Sequence, residues 1–94
     1  MNRVVVTGMG PVTPIGVGTR NFHEGQLQGR SGVGPIRRFD PSDYPVRIAA
    51  EVDVLVDRWR DRKEQRRMDR YAQLAIIAAE LAMEESGLDL DVED

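Results

Sequence analysis

The sequence predicts an α/β chain. Three stretches carry that reading: an unbroken valine run at Val4 to Val6, an alternating segment from Val46 to Val52, and a long alanine-rich helix between Asp69 and Gly87. A strand without polar alternation suits the middle of a sheet covered on both faces, whereas alternation suits a strand covered on one. A helix of that length beside such strands supplies the second kind of layer.

Taken in order, Arg3 to Thr7 reads as a strand that stops at Gly8. Gly8 to Gly18 holds four glycines and two prolines, which excludes a helix or a central strand there. Thr19 can cap a short helix over residues 20–28, with Gly29 at its end and Phe22 and Leu27 as its buried side chains. Residues 29–45 read as a long irregular connection, and Asp40-Pro-Ser-Asp43 within it is turn chemistry. From Val46 to Val52, one face carries Val46, Ile48, Ala50 and Val52 and the other Arg47, Ala49 and Glu51, the pattern of a half-buried strand. Residues 53–59 read as a connector with a helical turn. The main helix then runs from Tyr71 to Ser86 in strong helix formers. The Asp69 carboxylate is placed to accept its free N–H groups, and Gly87 stands where a left-handed residue is wanted. Residues 89–94 form an acidic tail.

That helix is unusual in its periodicity. Gln73, Glu80 and Glu84 fall on one narrow stripe, and nearly every other position is apolar. A helix apolar most of the way round is normally buried on several sides. The remaining residues hold too little apolar material to cover both it and the valine strand. The expectation is that these 94 residues belong to something larger or to an obligate assembly.

Composition narrows the function classes. The net charge of −3 excludes a general polyanion binder. The absence of cysteine excludes disulfides, thiolate metal sites and a cysteine nucleophile within these residues, and a single histidine excludes a histidine-based zinc site. No apolar run approaches the roughly 20 residues that span a bilayer. The opening lacks the apolar core of a signal peptide, which makes a cytoplasmic protein the default.

Three features invite chemistry. Gly8-x-Gly10 after a strand suggests dinucleotide binding, but the fingerprint wants glycine at position 13, where Thr13 stands, and a helix starting at once. A tight structural turn is the better reading. His23 has no cysteine or acid placed to form a catalytic set, so it reads as a surface or partly packed residue. The third feature is a basic elbow. Residues 57–70 carry seven Lys/Arg against four Asp/Glu, whereas Tyr71 to Asp94 carries seven acids and no base. Lys63, Arg66 and Arg67 are spaced i, i+3 and i+4, the spacing of one helical face. A solvated charged face is the ordinary outcome of such a run. Cations at a helix N-terminus, however, oppose the macrodipole, which points to an anionic partner. With no aromatic platform among the cations, nucleic acid is the weaker candidate.

Several of these pieces resemble a known family. Arg3-Val-Val-Val-Thr-Gly-Met-Gly-Pro-Val-Thr-Pro-Ile-Gly16 is similar to the opening of β-ketoacyl-acyl carrier protein synthases. Arg62-Lys-Glu-Gln-Arg-Arg-Met-Asp69, with the helix ending in Glu85-Ser-Gly-Leu88, resembles the elongating synthase II type; Gly29-Arg-Ser-Gly-Val and Phe39-Asp-Pro-Ser fit the same pattern. The resemblance runs in order along essentially the whole chain.

It implies a thiolase-like α-β-α-β-α fold, of which residues 1–94 would be the incomplete N-terminal portion of the N-terminal domain. The implied reaction is decarboxylative Claisen condensation in fatty acid biosynthesis, carried out by one cysteine and two histidines. None of the three maps onto this chain, so the resemblance implies no catalytic, cofactor-binding or metal-binding residue here. It does imply a carrier-protein-binding role for Lys63, Arg66 and Arg67, which match positions of a basic patch that receives the acidic acyl carrier protein. A homodimer of the full-length protein is implied as well. Two other readings stand beside this one: a polyketide ketosynthase subunit, and a stand-alone adaptor that binds an acidic protein.

Overall fold

The computed structural model describes residues 2–53 and 67–92. It mixes helix and strand in short elements. A hairpin pairs β1 (Val12–Thr13) with β2 (Gly16–Val17), helix α1 spans Thr19–Leu27, a second hairpin pairs β3 (Val33–Pro35) with β4 (Ile48–Ala50), and helix α2 spans Arg70–Ser86.

The first hairpin is closed by one side chain. Val12 faces Val17 and Thr13 faces Gly16 in an antiparallel register. The Thr13 hydroxyl donates to the Gly16 carbonyl at 2.8 Å and accepts from the Ile15 and Gly16 N–H groups at 3.2 and 3.1 Å. The glycine- and proline-rich stretch thus forms a tight turn, as its composition predicts. Its tip rests on α1 at Gly25, which is buried because the Ile15 carbonyl occupies the space a side chain would need.

The second hairpin joins Val33 to Ala50, Gly34 to Ala49 and Pro35 to Ile48, and the Ile36 N–H extends it to the Arg47 carbonyl at 3.0 Å. Its connection carries the predicted turn. Ser42 donates its N–H to Asp40 Oδ1 at 3.0 Å, the Tyr44 N–H reaches the Pro41 carbonyl at 3.0 Å, and Phe39 meets Tyr44 edge to face with ring centroids 5.8 Å apart.

Helix α2 matches the prediction to within a residue. Asp69 holds the N-cap position in an extended conformation, and its carbonyl accepts the Gln73 N–H at 3.1 Å, although its carboxylate makes no capping bond. Gly87 takes the left-handed conformation with φ 71°, which only glycine adopts without strain.

Five expectations need correction. Residues 3–7 join no sheet among the described residues: Val4, Val5 and Val6 are 95, 64 and 80 % exposed, because a ladder strand requires a neighbouring strand and none of the described ones pairs with it. Thr19 does not cap α1. Gly18 holds that position, and the Thr19 hydroxyl donates instead to Glu85 Oε2 on α2. Leu27 is largely exposed and Phe22 only half-buried, since the contact face of α1 is the glycine under the hairpin tip. The connection at 29–45 is not wholly irregular, since β3 forms within it. The alternating strand does form, but only over β4, and Ile48 and Val46 face solvent because no layer of the described residues lies against that hairpin. The expected helical turn within residues 53–59 lies almost wholly outside the described residues.

Among the described residues, Ile77 on α2 is the one buried large apolar side chain. The radius of gyration is 16.6 Å, against about 12 Å for a compact chain of this length. The accessible surface is 7782 Å², about 2,300 Å² above the scaling value for a compact protein of 10.6 kDa. The described residues therefore leave the valine segment uncovered and Leu74, Ile76, Leu81 and Met83 of α2 only half-buried, in line with the apolar excess of the sequence.

Candidate functional site

The candidate site lies at the N-terminal mouth of α2. Arg67 is exposed there, two residues before the cap residue Asp69. Lys63 and Arg66, the other two predicted binding residues, lie outside the described residues.

Beside Arg67 the fold gathers cations that sequence spacing alone does not associate. The anchor is Glu51, which follows β4 directly. Its Oε1 accepts the Arg37 N–H at 3.1 Å and its Oε2 accepts the Arg38 N–H at 3.1 Å, so the carboxylate is forked across two successive peptide groups. Arg37 Nε also lies 3.9 Å from Glu51 Oε1, with the Glu51 side chain only 14 % exposed. Bonds from backbone N–H groups to an ionised carboxylate are stronger than neutral ones, and they hold residues 37 and 38 against the end of the hairpin. From the other side, Arg70 in the first turn of α2 donates from Nη2 to the Val52 carbonyl at 3.0 Å.

These groups enclose a shallow cleft of about 250 Å³ lined by Arg37, Arg38, Glu51, Val52, Asp53 and Arg70. Three guanidinium groups face two carboxylates there, leaving one net positive charge. Partial burial lowers the Arg70 pKa, the nearby charge of Arg38 lowers it further, and Asp53 acts in the opposite sense. Arg70 stays protonated at any physiological pH, so the effect measures an unfavourable electrostatic environment rather than a titration.

The arrangement can hold an anion; its lining includes no hydroxyl, imidazole or amine side chain. His23 is exposed on α1. A second hollow beside the first hairpin is lined by Thr13, Asn21 and Arg30, but each already bonds a nearby carbonyl. Among the described residues no cluster of His, Asp or Glu could hold a metal ion, and no helix is long and apolar enough to cross a membrane.

Sequence reasoning missed Arg37 and Arg38 altogether and counted Arg70 only within a basic stretch. The Arg37-Arg38 pair ahead of Phe39 was the available signal. Its relation to Arg70 depends on Glu51 holding residues 37 and 38 at the end of the hairpin and on Arg70 reaching the Val52 carbonyl from α2, which no local spacing encodes.

Comparison with known proteins bears on the same residues. The family description "Beta-ketoacyl synthase, N-terminal domain" matches residues 1–94. The chain is 45 % identical over 87 residues to a 3-oxoacyl-[acyl-carrier-protein] synthase 2 of Synechocystis sp., covering 92 % of this chain and 21 % of the relative. Proteins of the same name from Staphylococcus aureus and Coxiella burnetii are 41 % and 43 % identical over 90 residues, each covering 95 % of this chain and 22 % of the relative. A solved structure, the ishigamide ketosynthase/chain length factor, superposes with a TM-score of 0.82 at 38 % identity, over 93 % of this chain and 22 % of that one. The chain thus spans about a fifth of the length of the relatives it matches.

Proposed function

Since the chain belongs to the β-ketoacyl synthase family, matching its N-terminal domain, we propose that it works as the opening portion of a 3-oxoacyl-[acyl-carrier-protein] synthase of the synthase 2 type. The whole enzyme would extend acyl chains by decarboxylative Claisen condensation with malonyl carrier protein. The observation that carries the reading is the in-order match of nearly the entire chain to synthase 2 relatives at 41–45 % identity. In a thiolase-like α-β-α-β-α stack, sheets above and below would cover α2, and residues 4–6 would lie within one of those sheets. That layering would account for the apolar surface this chain leaves open.

Within that enzyme these residues supply recognition rather than bond-making. The 94 residues contain no cysteine to carry an acyl thioester. What they offer is positive charge: Lys63, Arg66 and Arg67 would steer the acidic carrier protein to the tunnel mouth. Rim cations mainly raise the association rate and fix orientation, and their contribution falls as salt screens them. Acyl carrier protein is therefore the proposed partner, a homodimer the proposed assembly and the cytoplasm the proposed location.

The solved ketosynthase/chain length factor favours a neighbouring reading, a polyketide ketosynthase subunit with the same fold and chemistry. The higher identities lie with the synthase 2 relatives.

The test is carrier-dependent condensation by the intact enzyme. Purified enzyme is expected to release carbon dioxide from malonyl carrier protein and form a 3-oxoacyl product. Lys63→Glu combined with Arg67→Glu is expected to raise KM for the carrier protein with kcat and fold retained. Unchanged KM at low salt would remove the binding assignment, and absence of condensation would remove the enzyme assignment.

A further inference from the structure

We propose that Arg38, whose backbone is held by Glu51, and Arg70, held on the Val52 carbonyl, form a second anion-receiving notch at the end of the basic elbow, and that it takes a carboxylate side chain of the acidic carrier protein. The inference rests on the enzyme reading above and extends it to residues other than Lys63, Arg66 and Arg67.

Part of the notch is already engaged. Glu51 is spent on the backbone N–H groups of Arg37 and Arg38. Arg70 uses one guanidinium nitrogen on the Val52 carbonyl and keeps the rest of its donors for the cleft. The Arg38 guanidinium has no hydrogen-bond or ion-pair partner among the described residues, although it lines the same cleft as Arg70. Two like charges sharing a partly buried cleft repel, and that repulsion is among the causes that lower the Arg70 pKa. An entering anion would remove it.

The chemistry of the cleft selects the kind of anion. Phosphate sites are commonly built from free backbone N–H groups at a turn or a helix N-terminus. Here the two N–H groups at the turn are already taken by Glu51. Asp53 lines the cleft as well, so a doubly charged phosphate would meet a carboxylate along with the guanidinium groups. The net charge of the lining is one positive unit, matched by a single carboxylate. Guanidinium groups bind carboxylates through paired parallel N–H donors, and Arg38 has its donors free for that geometry. Position favours the same partner: Arg70 lies three residues beyond Arg67 on the chain, so a protein seated on Arg67 reaches the notch.

The test uses the intact enzyme and carrier protein in two forms, with and without the phosphopantetheine arm. Arg38→Gln and Arg70→Gln are each expected to weaken binding of both forms about twofold to fivefold at low salt, the range of a rim ion pair. The double variant should flatten the salt dependence of binding. Arg70→Lys should fall between Arg70→Gln and the parent, because it keeps charge without the planar fork. Arg38→Gln guards against misfolding, because the Arg38 side chain holds no part of the fold among the described residues. Loss confined to the armed carrier would assign the notch to the arm's phosphodiester and overturn the proposal. Unchanged binding in both Arg38→Gln and Arg70→Gln, with Lys63→Glu/Arg67→Glu still impaired, would overturn it while leaving the enzyme reading in place. Failure of every variant to affect binding would count against the docking surface as a whole.

Discussion

Gly10 lies directly against the backbone of Ala78: a Cβ on Gly10 would fall 1.8 Å from the Ala78 carbonyl oxygen. Gly8 meets the next turn of α2 in the same way: a Cβ there would fall 2.2 Å from the Ala82 carbonyl oxygen and 2.7 Å from the Ser86 N. Ala78, Ala82 and Ser86 follow one another at four-residue spacing and form a track of small side chains along the helix. The Gly-x-Gly pair, whose first suggestion was nucleotide binding, instead lets an incoming segment lie on a helix backbone.

Gly10→Ala is therefore expected to destabilise the intact enzyme by about 3 kcal/mol, at the upper end for overpacking a closed contact. Gly8→Ala should act in the same direction. Gly34→Ala is the control, because nothing lies within 4 Å of that position and its φ is not positive. It should change stability by less than about 0.5 kcal/mol. Chemical denaturation of the three variants decides the point. Equal stability of Gly10→Ala and Gly34→Ala would mean that the segment does not sit on the helix.

The hydroxyl of Thr19 at the start of α1 donates to Glu85 near the end of α2, joining positions 66 residues apart. A double-mutant cycle with Thr19→Val and Glu85→Gln should give a coupling of about 1 kcal/mol, the usual scale for a hydrogen bond to a charged group near the surface. Additive effects would show that the two helices are not linked there.

Much of this was legible in the sequence, and the failures share a cause. Helix α2 was readable because its signals are local: helix-forming residues, an Asp before it and a Gly after it. The turn at Asp40 to Tyr44 was readable for the same reason. The valine segment was misread as a paired strand because β propensity describes a fit to neighbours, and neighbours are not local. Thr19 was misread because a better-placed acceptor on a distant helix drew its hydroxyl away from the cap. The cleft was unreadable in principle from spacing, since Arg37 and Arg38 are placed by Glu51 and Arg70 by the Val52 carbonyl, all of them contacts between distant positions. The apolar excess was legible because it is a matter of composition: a helix with Leu74, Ile76, Ile77, Leu81 and Met83 needs more cover than the described residues supply.

Glu51 should matter more to structure than its place at the end of a small hairpin suggests. Glu51→Ala leaves two N–H groups without their acceptor and is expected to cost about 2 kcal/mol. Glu51→Gln keeps one carbonyl acceptor but turns an NH₂ group toward the other N–H, so it should recover only part of that loss. Amide hydrogen exchange at Arg37 and Arg38 reports the effect directly: both should exchange faster in Glu51→Ala, and only one markedly in Glu51→Gln. Unchanged protection would place the anchor elsewhere.

The turn at Asp40 should respond to acid. Hydrogen bonds from the Ser42 backbone and side chain to the Asp40 carboxylate lower its pKa, against a small opposing effect of desolvation. A lowered pKa in the folded state means that the ionised form is the one stabilised. The contribution is complete above the ordinary carboxylate range of about 4 and is lost as pH falls through the depressed value. The Ser42 amide resonance should therefore titrate with a midpoint below that of Asp in an unstructured peptide, and Asp40→Asn should remove the titration. A midpoint at or above the peptide value would contradict the bond.

A domain of 94 residues that closes on a core unfolds with an enthalpy of roughly 65 kcal/mol near 60 °C. That enthalpy comes with the simultaneous loss of buried contacts, and here the described residues bury one large apolar side chain fully. The 94-residue chain in isolation is therefore expected to melt broadly, with well under half that enthalpy, and to bind an apolar dye before heating. The full enzyme should bind little dye and melt sharply, because the side chains of Val4, Val5 and Val6 would be covered. Val5→Asp separates the two cases: it should leave the isolated chain's melting almost unaltered, since Val5 is mostly exposed there, and should strongly destabilise the full enzyme by placing a charge in a covered layer. A sharp, high-enthalpy transition in the isolated chain would instead favour a self-sufficient adaptor, with the family relationship recording descent rather than a shared layered fold.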